Sequence, residues 1–121
     1  MPGPSTIRRR LDLQALRAAW WTAHALKRVR RQLRGGALAD VTVTAPPALP
    51  GSAQRGVEAV LRRVPATCLE RSLVLQRWLA AHGRSLDVVI GVRAPSTGFT
   101  AHAWLEGETA GDFDELLRLA P

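Results

Sequence analysis

The chain predicts an α+β domain, with helices first and a small antiparallel sheet packed on the last of them. Three observations carry this. Through roughly the first two thirds of the 121 residues, apolar side chains recur every three or four positions; from Leu86 onward they alternate every second position. A turn sequence, "PSTG", separates two alternating runs, as expected of a hairpin. Helices and strands are segregated along the chain, so the sheet must bury one face on the helix preceding it.

Residues 8–34 read as one helix. Leu11, Leu13, Leu16, Trp20, Trp21, Ala23, Leu26, Val29 and Leu33 form a broad apolar stripe, with arginines mostly opposite, and Gly35-Gly36 ends it. "DVTVTAPPALPG" is a short extended piece followed by a Pro-rich connector, suited to a hinge. A second helix covers about 52–64, with Val57, Val60, Leu61 and Val64 on one side and Pro65 closing it. In "PATCLERSL", Thr67 and Glu70 form a capping box, which makes Thr67 the N-cap and Cys68 the first helical residue. That helix runs to a stop near Gly83. "SLDVVIGVRA" is a strand with Leu86, Val88, Ile90 and Val92 on one face. "FTAHAWLEGE" is its partner, with Thr100, His102, Trp104 and Glu106 on one face and Phe99, Ala101, Ala103 and Leu105 on the other. "TAGDFDELLRLAP" reads as a short extended stretch and a last helical turn. The organisation is a basic amphipathic helix (1–36), a Pro-rich connector (37–51) and a core (52–121).

Composition excludes several classes. One cysteine rules out an internal disulfide framework and a multi-cysteine zinc site, so neither metal nor cofactor is expected and a cytoplasmic setting fits. No apolar run approaches the ~18 residues of a membrane span, and arginines interrupt any signal-peptide core. The net charge of +7 sits at one end. Residues 1–34 hold nine Lys or Arg against Asp12 alone, whereas 35–121 hold eight arginines against nine acids. No nucleic-acid motif accompanies the basic helix, and no nucleic-acid partner is expected. The helix instead predicts arginines such as Arg28, Arg30 and Arg31 presented to an acidic surface.

Cys68 is the candidate nucleophile. Its place at a capped helix start sets the thiol beside unpaired amides and the positive end of the macrodipole, where negative charge is stabilised. Its own amide is the natural oxyanion donor. The glutamine that papain-like enzymes place shortly before the cysteine has no counterpart here: Arg62 and Arg63 occupy that neighbourhood, and the nearest upstream glutamine is Gln54. A base is required, and three histidines are available. His24 on the basic helix and His82 at the end of the cysteine helix read as surface residues. His102 sits mid-strand, in the hairpin that covers the cysteine helix, on the same face as Trp104, which shields the site or lines a substrate pocket. Ser72 reads as a small packing residue one turn beyond Cys68. A third group orients the imidazole in such sites. Asp112 and Asp114 lie on a segment that could pair beside the His102 strand.

"TCLERSLVLQRWLAAHGRSLDVVIGVR" followed by "FTAHAWLEGE" resembles the transglutaminase-like, papain-like cysteine leader peptidases of lasso-peptide biosynthesis, in the stand-alone peptidase version. The matching features are a Cys-Leu helix start with an Arg-Ser-Leu run, a glycine at the helix end, a strand finishing Ile-Gly-Val, and Ala-His-Ala-Trp; they cover about residues 55–121. The resemblance implies a papain/transglutaminase-like fold and a Cys-His-Asp triad that cuts the leader from a ribosomally made precursor. It implies a separate leader-recognition protein and an ATP-dependent, asparagine-synthetase-like cyclase as partners. It also implies a cut one residue after a threonine at the penultimate leader position. Cys68 and His102 carry over directly. The acid does not, because Gly107 follows Glu106 at once where the family has two further residues. Restoring that gap selects Asp112, and counting straight from His102 selects Asp114. Asp112 is preferred because Asp114 with Glu115 reads as the acidic first turn of a final helix.

Overall fold

The computed structural model describes residues 4–93, 98, 100–109 and 111–121, and side chains from residue 13 onward. The expected turn at 95–98 and the placement of Phe99 lie mostly outside the described residues, as do the side chains of Arg8, Arg9, Arg10, Leu11 and Asp12.

Among the described residues, three α-helices precede three strands: α1 (Pro4–Gly35), α2 (Gln54–Arg63), α3 (Cys68–Ala81), β1 (Val88–Arg93), β2 (Thr100–Leu105) and β3 (Asp114–Leu119). The α+β order expected from the two periodicities is the one observed. On α1, Ala18, Trp21, Thr22, Ala25, Leu26 and Val29 are buried, a run at three- and four-residue spacing that faces α2 and α3. The broader stripe divides at this point: Leu13, Leu16 and Trp20 remain exposed.

The segment expected to hinge is tied along α1. The Gln32 side-chain amide donates to the Thr42 carbonyl (2.8 Å) and its oxygen accepts from the Thr42 N–H (2.9 Å). Trp21 Nε1 donates to the Thr44 carbonyl (3.1 Å) and Arg28 to Thr44 Oγ1 (2.8 Å). His82 is also not the surface residue expected. Its two ring nitrogens lie 2.8 and 2.9 Å from the Trp78 and Leu49 carbonyls, so it joins the end of α3 to the connector. His24 is exposed, as expected.

Helix α3 forms the centre of the domain. Trp78 is wholly buried and donates to Gln54 Oε1 at 3.1 Å, which makes Gln54 a core partner. The helix ends in a Schellman motif: Arg84 N–H bonds to the Leu79 carbonyl (2.9 Å) and Gly83 N–H to Ala80 (3.2 Å). Gly83 takes φ +82, a left-handed conformation that side chains with a Cβ resist.

The sheet order is β2-β1-β3, antiparallel throughout. Val88, Ala103 and Leu105 join the helical core. The expected last helical turn is instead β3, and it pairs with β1, on the side away from the His102 strand. Local preference favours helix in "DELLRL", but β1 has both faces covered, and its second row of amides and carbonyls must be paired inside the protein. Asp114 and Glu115 therefore begin a strand. A bulge between Ile90 and Gly91 leaves Leu116 without an opposing residue. Gln76, buried on α3, donates to the carbonyls of Leu86 (2.9 Å) and Leu119 (2.8 Å), fastening both strand ends to the helix.

Candidate functional site: a thiol and an imidazole at one cavity

The capping box forms as the sequence predicts. Glu70 N–H donates to Thr67 Oγ1 (3.1 Å), and Thr67 N–H donates to Glu70 Oε1 (2.8 Å). This places Cys68 at the first helical position, with unpaired amides around it. A second device was not legible in the sequence. Arg30 of α1 reaches Glu70 Oε2 from Nε (3.2 Å) and donates from Nη2 to the Pro65 carbonyl (2.7 Å). Arg71 holds the same approach segment through the Ala66 carbonyl (3.2 Å). Arg28 and Arg30, expected to face an acidic surface, are thus both engaged within the chain, Arg30 with a carboxylate and Arg28 with a hydroxyl.

Burial alone would raise the Glu70 pKa, but hydrogen bonds from Arg30 and the Thr67 amide, with the Arg30 charge, outweigh it and hold the carboxyl below its ordinary value. A depressed folded pKa stabilises the native state above the unfolded carboxylate range, and that contribution is lost as pH falls through the lowered value. Glu70→Gln should therefore lower the melting temperature at neutral pH. It should also flatten the loss of stability that the wild type shows on acidification below about pH 4. Parallel acid-melting profiles for the two proteins would disprove this role.

Cys68 and His102 line one cavity of about 290 Å³, together with Ser72, Leu75, Ala103, Trp104 and others. The thiol lies at the free edge of β2, where Sγ accepts from the Ala103 N–H at 3.3 Å. Among the described residues this is the hydrogen bond the sulfur makes; the imidazole shares its cavity without bonding to it. His102 stacks on Trp104 (centroids 5.8 Å, planes 24° apart) and meets Phe113 at 5.1 Å. Trp104 is buried and lines the cavity, and Ser72 is buried beside it.

Gly91 makes this arrangement possible. It pairs with His102 across β1 and β2, and a Cβ there would stand 2.5 Å from Trp104 Cη2 and 2.8 Å from the Asp114 carbonyl oxygen. The absent side chain lets the rings close over β1. Among the described residues, neither candidate acid is hydrogen-bonded to the imidazole. Asp112 is exposed and takes two hydrogen bonds from Arg93 Nη1 (3.1 and 3.4 Å), while the Arg93 guanidinium sits 4.9 Å above the Phe113 ring. Asp114 pairs with Val92 at the start of β3. Phe113 was missed in the sequence; the available signal was one of only two phenylalanines, set between the two candidate acids. Glu108, also missed, lines the cavity and accepts from the Leu105 N–H at 2.8 Å, closing another edge amide of β2.

The fold and the site define a class: a small α+β domain with a cysteine at the N-terminus of its central helix and a histidine on the adjoining strand. The chain belongs to the transglutaminase-like superfamily, whose family model matches residues 7–121, the first helix included. No curated protein and no solved structure matches it. Among the described residues, no helix is long and apolar enough to cross a membrane.

Proposed function

We propose that the protein is a cysteine peptidase that cuts the leader from a ribosomally synthesised lasso-peptide precursor. The observation that supports this best is the shared cavity: a cysteine on a capped helix start and a histidine on the adjoining strand open onto the same space. Cys68 passes its proton to His102 and attacks the carbonyl of the last leader residue, with the Cys68 amide facing the developing oxyanion. The tetrahedral adduct collapses to a thioester as the C–N bond breaks, and His102 delivers its proton to the departing amine. Water, deprotonated by His102, then adds to the thioester; the leader leaves as a carboxylic acid and the thiol is restored. The working partners of this reading are the precursor's leader region, a separate leader-recognition protein and an ATP-dependent, asparagine-synthetase-like cyclase. Mass spectrometry of the precursor incubated with the protein and the recognition partner tests it: two fragments summing to precursor plus one water are expected. An intact precursor under those conditions would refute it.

Asp112 is the proposed orienting carboxylate, and Arg93 is its present partner. An exposed ion pair of this kind contributes about 0–1 kcal/mol, so exchanging Arg93 for the imidazole when substrate binds costs little. Asp112→Asn should lower turnover by a factor on the order of 10² or more with the Michaelis constant little changed, whereas Asp114→Asn should be mild. The reverse ranking makes Asp114 the acid. Two mild effects leave the imidazole held by Trp104 and Phe113 alone.

A second reading, a catalytically inactive transglutaminase-like adaptor that docks partners through its basic helix, draws on two observations: Sγ is engaged by the Ala103 amide, and Asp112 by Arg93. Native alkylation separates the two, since an idle structural thiol should resist iodoacetamide.

A further inference from the structure

The first helix carries apolar side chains that the domain does not use. Leu13, Leu16 and Trp20 are 63%, 64% and 70% exposed, at i, i+3 and i+7 on one stripe. Large apolar side chains grouped on a surface mark an interaction site. Leu16 forms a ridge between two grooves. One, of about 490 Å³, is walled by Trp21, His24 and Pro47; the other, of about 660 Å³, runs between α1 and α2 along Ala59, Val60 and Val64. The ionisable residues lining these walls include Arg17, Arg55, Arg62 and Arg63, and among the described residues neither lining contains a carboxylate. No residue of either groove lines the Cys68 cavity.

We infer that this face docks an amphipathic, acidic helix of a partner protein, its apolar side chains straddling Leu16 and its carboxylates meeting Arg17, Arg62 and Arg63. Two grooves flanking a ridge accept side chains inserted on both sides, which is how a helix lies in a groove. The charge on the walls sets the sign of the partner. A nucleic acid would gain nothing from Leu13 and Leu16, and a bilayer surface would not fill the groove recessed between α1 and α2. This surface stands apart from the peptidase reading and holds whether or not Cys68 is catalytic.

The test uses the full chain and a synthetic helical peptide of about five turns, with leucine at the i, i+3, i+4 and i+7 positions and glutamate elsewhere. Its counterpart carries lysine for every glutamate. Trp20 is the exposed member of the four tryptophans, so binding should appear as a blue shift of tryptophan emission that saturates with peptide. The acidic peptide should bind, and weaken as salt rises. Leu16→Ser should weaken it at least about tenfold, and so should Arg62→Glu with Arg63→Glu. All three positions are exposed, so an unchanged thermal melt is expected for Leu16→Ser and only a small lowering for the double variant, whose glutamates fall in the last turn of α2. Several results would overturn the inference. The acidic peptide could fail to bind, bind the Leu16→Ser protein as well as wild type, or bind no better than its lysine counterpart. Sedimentation could instead show a dimer of this chain that Leu16→Ser dissociates. Vesicles containing about a third phosphatidylserine could give the Leu16-dependent shift when the peptide does not, assigning the face to a membrane.

Discussion

Cys68→Ala is expected to abolish precursor cleavage, a loss on the order of 10³-fold or more, while the domain stays folded. The thiol is half-buried at the first helical position, so its removal costs one sulfur contact and leaves the Ala103 amide without its sulfur acceptor. Alanine is well tolerated in the first turn of a helix. His102 needs a more careful substitution, because its ring packs against both Trp104 and Phe113 and aromatic pairs contribute about 0.5–1.5 kcal/mol each. His102→Phe keeps the stack and removes the proton carrier. It should be as damaging as Cys68→Ala, and the double variant should be little worse than either, since groups acting as one unit lose activity non-additively. Circular dichroism and a thermal melt must match wild type for the comparison to count. A folded Cys68→Ala protein that still cleaves would end the peptidase mechanism.

Gly56→Ala should be the most destabilising single methyl in the described part of the molecule. In an isolated helix this change would stabilise by roughly 0.8–1 kcal/mol. Here the sign reverses. Gly56 is buried where α2 crosses α1, and an added Cβ would overlap the Ala15 carbonyl oxygen and lie 2.7 Å from its carbon. The obstacle is backbone inside a continuous helix, so relief requires α1 and α2 to separate. That separation would loosen Ala18, Ala53 and Val57 along the same seam. A loss of about 3 kcal/mol or more is expected, the upper end for overpacking. For a domain of about this size that corresponds to a fall of over 10 °C in melting temperature. A melting temperature equal to or above wild type would show that the two helices do not cross this closely.

The proposed chemistry joins elements of different stability origin. The thiol depends on a helix start secured by Glu70, Arg30 and the Pro65 carbonyl. The imidazole depends on a sheet face that closes only because residue 91 has no side chain. A change at either support should alter turnover without touching a reacting atom.

The sequence by itself determined every feature that rests on neighbours a few residues apart. The capping box at Thr67 and Glu70, the stop at Gly83, the change of period at Leu86 and the pairing of β1 with β2 depend on local spacing or on a short connection, and all were legible. The places of Cys68 at a helix start and of His102 in mid-strand were legible for the same reason. Only the tertiary structure decided the last element, because helix preference in "DELLRL" is weak beside the demand of a buried strand for partners on its second edge. It also decided which arginines of α1 find partners within the chain. Arg30 pairs with a carboxylate forty residues away, a relation that no periodicity encodes. The surroundings of His102 belong to the same kind. Gly91, Trp104 and Phe113 meet through pairing across three strands, and Asp112 finds Arg93 there; which long-range partner wins is set by packing and sheet register, not by local spacing.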